Sequence, residues 1–151
     1  MRKWRMAKTK KDKTLKAFDK YCAEKDLRNT EPRRAVLEII AHSKQPLTAY
    51  EVLEKLAEKT AKPKPPTAYR ALEFLCEHGF VHRIESRNAY VLCDVDHRHT
   101  GSQFMICKSC GTVEEAHLCH LPADLRKQID TAKFSTDFWN LEVHGLCRNC
   151  R

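Results

Sequence analysis

At 151 residues the chain holds one ordinary domain or two small ones, and a 42% hydrophobic content excludes a wholly disordered tail. A formal net charge of +8 points to a polyanionic partner, nucleic acid first, because neutralised phosphates release condensed counterions. No apolar run is long enough to span a membrane, and the charged N-terminus lacks the apolar segment of a signal peptide. The expectation is therefore a cytoplasmic protein, whose cysteines need an explanation other than disulfides.

Residues 1–20 carry nine Lys or Arg against Asp12 and Asp19, so the rest of the chain is nearly neutral. Residues 1–13 are expected to form a disordered basic arm, fit either to track phosphates or to solubilise. Leu15, Phe18 and Cys22 then fall on one face of a helix. Thr30 and Pro32 open a second helix, with Ala35, Val36, Ile39 and Ile40 as its apolar stripe. Thr48-Ala-Tyr-Glu51 is a capping box opening a third, which turns Val52, Leu53, Leu56 and Ala57 inward. The prolines of Lys62–Pro66 break the chain before a fourth helix, which runs from Thr67 to a left-handed cap at Gly79. Its inward stripe is Ala68, Ala71, Leu72, Leu75 and Cys76, which leaves Tyr69 and Arg70 outward.

From Phe80 to Cys93 the pattern changes to β-rich residues around a turn at Ser86–Asn88, which reads as a short hairpin. Helices followed by such a hairpin give a winged helix-turn-helix over residues 14–93, in which the fourth helix enters the major groove. Arg70 suits guanine edges, and Tyr69 can reach phosphate or base. A hinge is expected over 94–103. Residues 104–151 form a small α/β domain: strands at Phe104–Cys107 and Thr112–Ala116, a helix at Pro122–Lys133 and a strand at Phe138–His144. The fold class is thus α+β.

Two C-x-x-C pairs, Cys107/Cys110 and Cys147/Cys150, carry the strongest chemical signal. Two intervening residues let both sulfurs of a pair turn to one point, and two pairs complete a tetrahedral four-thiolate shell that suits structural zinc. A second, looser set comprises His82, Cys93, His97, His99, Glu115, His117, Cys119 and His120. Four of these would make a mixed site, and a thiolate among them favours zinc over harder ions. The zinc deaminase pattern of H-x-E with P-C-x-x-C is missing, so no enzyme and no small-molecule substrate are expected.

Thr30-Glu-Pro-Arg-Arg34, Pro65-Pro-Thr-Ala-Tyr-Arg-Ala-Leu72 and Ile106-Cys-Lys-Ser-Cys-Gly111 resemble the ferric uptake regulator family from about Leu15 to Cys150. The segments Gly79–Cys93 and Glu142–Cys147 resemble its zinc uptake branch. The resemblance implies a homodimer whose second domain dimerises, two zincs per chain and repression of zinc homeostasis genes from double-stranded operator DNA. It implies His82, Cys93, His99 and Glu115 as regulatory zinc ligands, with His97 open as a replacement for His99. Cys107, Cys110, Cys147 and Cys150 are the implied structural ligands. Tyr50 and Arg70 match DNA-touching positions of relatives; with Thr67 and Tyr69 they are the candidate DNA contacts. Another metal or peroxide sensor of the same family is the alternative.

Overall fold

Local capping fixes the ends of the helices, and buried apolar faces hold them together. In the computed structural model, which describes residues 8–93, 101–116 and 120–151 (side chains from residue 11 on), the chain divides into two compact units at Cys93/Asp94. The first begins with α1 (Lys8–Glu24) and α2 (Glu31–His42), the latter with Pro32 in its first turn, where a missing N–H costs nothing. The basic segment expected to be disordered through residue 13 is therefore helical from Lys8 on. Leu15, Phe18 and Cys22 anchor α1 in the core, and lysine, a good helix former, lets it propagate back toward its N-terminus.

A two-residue strand β1 (Leu47–Thr48) leads into α3 (Ala49–Lys59). Thr48 Oγ1 accepts the Glu51 N–H at 3.2 Å, and the Glu51 carboxylate accepts the Thr48 N–H at 2.7 Å. This is the anticipated capping box. Helix α4 spans Pro65–Glu77 and starts two residues before the anticipated Thr67, since both prolines fit its first turn. Gly79 (φ +74°) ends it: the Gly79 N–H donates to Cys76 O and the Phe80 N–H to Leu75 O. That double bond is a Schellman cap.

The hairpin of β2 (Val81–Ile84) and β3 (Ala89–Leu92) turns through a single 3-10 turn and a left-handed Asn88. Strand β3 also pairs with β1, giving the antiparallel order β1-β3-β2. Helix α2 packs on α1, α3, α4 and β3, so its buried face is wider than one stripe and includes Leu37. Phe74 on α4 is likewise buried, whereas Ala57 on α3 is exposed. Phe18 lies edge-on to Phe80, with ring centroids 5.0 Å apart, and to Phe74 at 6.4 Å.

The second unit is a sheet of order β5-β4-β6 with one helix. It comprises β4 (Gly101–Cys107), β5 (Val113–Ala116), α5 (Ala123–Thr131) and β6 (Trp139–Gly145). Strand β5 runs antiparallel to β4, and β6 parallel. The hinge expected through 103 gives way at Gly101, because β4 pairs with β6 from Gly101↔Trp139 onward. A Cβ at Gly101 would fall inside the Trp139 indole, so the absence of a side chain is what lets that ring lie across the strand.

Candidate metal centre and nucleic-acid interface

The parallel register of β4 and β6 sets Cys107 beside Gly145, and the chain reaches Cys147 two residues later. Three backbone bonds close the corner: Cys107 N–H to Thr112 O, Gly111 N–H to Cys107 O and Lys108 N–H to Gly145 O. Gly111 takes a left-handed φ of +76°, which lets the chain reverse immediately after Cys110. The Cys147 N–H reaches Cys107 Sγ at 3.3 Å, and the Cys150 N–H closes a turn onto Cys147 O at 2.9 Å. As a result the four sulfurs of Cys107, Cys110, Cys147 and Cys150 all lie within 4.8 Å of one another.

The donor set fits zinc. Cys110 Sγ and Cys147 Sγ are 3.6 Å apart, close to the roughly 3.8 Å edge of a tetrahedron built on Zn–S bonds of about 2.3 Å. Backbone N–H groups of Cys110 and Cys147 pull the Cys107 thiol down to about 6, and Thr112 lowers Cys110. Against a lowering bond from the Asn149 backbone, the neighbouring thiols of Cys150 and Cys110 push Cys147 up to about 12. Four adjacent sulfurs cannot all ionise unaided; a divalent cation removes that conflict. Thr112 and Gly111 are supporting residues that the C-x-x-C spacing alone does not reveal. The cysteine–glycine step was their one visible signal.

The other candidates divide among the two units. His82 on β2 is buried, and Cys93 follows β3 with its N–H on Phe80 O at 2.9 Å. Cys93 therefore stands opposite Phe80, and His82, two residues on, projects from the same face of the hairpin. Glu115, on β5, pairs with Phe104. His97, His99, His117 and Cys119 lie outside the described residues, and His120 is exposed. Cys22 is buried and Cys76 partly buried against the same core, where desolvation pushes its thiol up to about 12, and both act as packing residues.

On α4, Ala68, Ala71, Leu72, Phe74 and Leu75 face the core. Tyr69 and Arg70 stand exposed near its start, and Thr67 is half-buried with its N–H on Lys64 O. Tyr50, in the first turn of α3, is 67% exposed. These two helices, joined by the proline-bearing turn, are the helix-turn-helix, and β2–β3 is its wing. The ferric uptake regulator family model matches residues 24–144.

The chain belongs to the ferric uptake regulator family.

Within the family it lies in the zinc uptake branch. It is 37% identical over 147 residues to the Zinc uptake regulation protein of Escherichia coli (strain K12), covering 96% of this chain and 85% of that protein. A zinc uptake regulator complexed with zinc and DNA superposes with a TM-score of 0.86 at 36% identity, covering 93% of this chain and 94% of that one. Holo XcZur does so with 0.80 at 38% identity, covering 90% and 95%. Membership makes the chain a DNA-binding transcriptional regulator rather than an enzyme. Among the described residues, no helix is long and apolar enough to cross a membrane.

Proposed function

We propose that the chain is a zinc-responsive repressor that binds operator DNA as a zinc-loaded homodimer and controls zinc homeostasis genes in the cytoplasm. The observation that carries the zinc reading is the approach of the His82 imidazole and the Cys93 sulfur, whose ligand atoms lie within 4.8 Å of each other on the wing. That pairing of a nitrogen and a soft sulfur donor is suited to zinc. His82 and Cys93, with His99 and Glu115, would hold the sensing ion; Cys107, Cys110, Cys147 and Cys150 would hold the structural one, giving two zincs per chain. When bound, zinc supplies neutralising charge and a cross-link among its ligands.

The chain's own residues divide the remaining work. Tyr69 and Arg70, with Thr67 and Tyr50, contact operator DNA, and Arg70 reads a base edge. Because His82 and Cys93 precede the 94–100 segment, His99 lies in it and Glu115 follows it, one ion held by all four would link the wing to the sequence beyond that segment. Linkage then makes zinc and DNA raise each other's affinity by one common factor. Dimerisation is supported by the apolar residues that the second unit leaves exposed, Leu125, Phe134, Phe138, Val143 and Leu146. Residues 104–151 are thus read as the dimerising and zinc-binding domain, whose first strand β4 begins at Gly101.

The test is selection of binding duplexes from random DNA by the purified chain, with zinc and after mild chelation, alongside metal content and sedimentation. Two zincs per chain are expected, one of them lost on mild chelation together with duplex binding, on a dimer that persists. Cys93→Ser should abolish the zinc response and keep the dimer. Duplex binding indifferent to chelation, or an unaltered response in Cys93→Ser, defeats the sensing assignment.

A further inference from the structure

Helix α1 carries charge in a pattern that neither the metal centres nor the recognition helix uses. Leu15, Phe18 and Cys22 bury one side of it. Lys13, Lys16 and Lys20, spaced at three and four residues, stand exposed on the opposite side. The acidic residues of α1 only partly offset them. Asp12 is exposed and makes no ion pair with these lysines among the described residues. Asp19 is taken by Arg34 at 3.2 Å and by Asn29 at 2.7 Å, and Glu24 meets Lys20 in an exposed pair at 3.6 Å. Lys13 and Lys16 enter no ion pair among the described residues.

This arrangement works against the helix that bears it. No acidic residue stands in its first turn, where the dipole favours negative charge, and like charges three and four apart repel. A polyanion docked along the stripe reverses both penalties. The stripe is straight, and from Lys13 to Lys20 it rises about 10 Å, the axial rise of about three phosphates on one DNA strand. It also precedes residue 24, where the family match begins.

We propose that the Lys13–Lys16–Lys20 face of α1 is a second DNA-binding surface, one that grips phosphates without reading sequence. It rests on the DNA-binding reading above and adds affinity to it while leaving operator choice to α4. Basic residues Arg2, Lys3 and Arg5 add further positive charge to the same end of the sequence.

The test uses the full zinc-loaded chain, a duplex selected from random DNA and a scrambled duplex of equal length. Lys13→Gln, Lys16→Gln and Lys20→Gln are combined, since glutamine keeps helix propensity and removes charge. A second variant carries arginine at all three positions. The logarithmic salt slope of binding should fall by about 0.9 per engaged lysine, about 2.7 for one helix. The wild-type advantage then shrinks about 40-fold between about 50 and 200 mM salt. Selected and scrambled duplexes should lose the same factor, and the arginine variant should restore the slope, with helical content unchanged in both. An unaltered slope in the glutamine variant, while the wild type binds the selected duplex, overturns this proposal alone. So does charge-dependent capture by vesicles of anionic phospholipid with DNA binding untouched, which would assign the face to a lipid surface. A wild type that binds no duplex fails already at the earlier reading.

Discussion

The two units solve the problem of stability differently. The first buries Phe18, Val36, Leu37, Val52, Leu56, Leu72, Leu75 and Val81 almost completely, with every helix contributing to one core. Among the described residues the second buries few apolar side chains, chiefly Phe104, Ile106 and Cys107, and α5 has no buried residue. Two of its aromatic residues stand exposed instead, Phe134 at 69% and Phe138 at 63%. A unit with so little core needs other sources of stability, and the proposed metal cross-link and partner copy are the two the residues provide for. Cysteines and exposed aromatics can stand where a core would otherwise be.

The difference is open to direct attack. Strong chelation, or Cys110→Ser, should cost the second unit on the order of 10 kcal/mol, the scale of structural zinc binding. Native-state hydrogen exchange should then show β4–β6 unprotected while α2–α4 stay protected; protection retained in both units would remove zinc from the account of stability. Phe18→Ala should do the reverse, at about 3–5 kcal/mol. Urea unfolding followed by helical signal would register the loss, with zinc content unchanged. Gly101→Ala, which forces the Trp139 ring to move, should cost about 1–3 kcal/mol. Indole fluorescence in a Trp4→Phe background would report it.

The smallest effect belongs to the capping box. Thr48→Ala should cost about 1 kcal/mol, read as a lower midpoint in urea. The Thr48 backbone N–H, then its hydroxyl, hold the Glu51 carboxyl below its ordinary value. A depressed carboxyl contributes stability above the unfolded pKa and loses it as pH falls through the folded one. The Thr48→Ala penalty should therefore shrink on acidification through the carboxylate range; a penalty constant to low pH would mean that the Glu51 charge plays no part.

Features written in a few adjacent residues were legible in the sequence. The Thr48–Glu51 cap, the Gly79 turn, the Ser86–Asn88 hairpin and the two C-x-x-C pairs each carry their geometry within four or five positions. Features made by distant pairing were not. Strand β1 exists because Leu47 and Thr48 meet Tyr90 and Ala89 across the sheet, and two residues show no period. The start of β4 at Gly101-Ser102 has poor strand formers, and among the described residues Trp139 and Asn140, nearly forty positions on, pair with it and hold it extended. The burial of Leu37 depends on how many elements surround α2, which the stripe on one helix cannot disclose. At the metal centre the ligand types were plain, whereas the Cys147 N–H on Cys107 Sγ needed the β4–β6 register to become visible.

The Gly79 cap has a mechanical consequence. The N–H groups of His78, Gly79 and Phe80, which follow α4, are tied back into its last turns, and His82 comes only two residues after Phe80. No slack intervenes between the helix bearing Arg70 and the strand bearing His82. On the proposed assignment, a tug on that imidazole would reach α4 as it would the far end of a stiff crank, and a looser residue pair in place of Gly79-Phe80 would let the pull dissipate before it arrived.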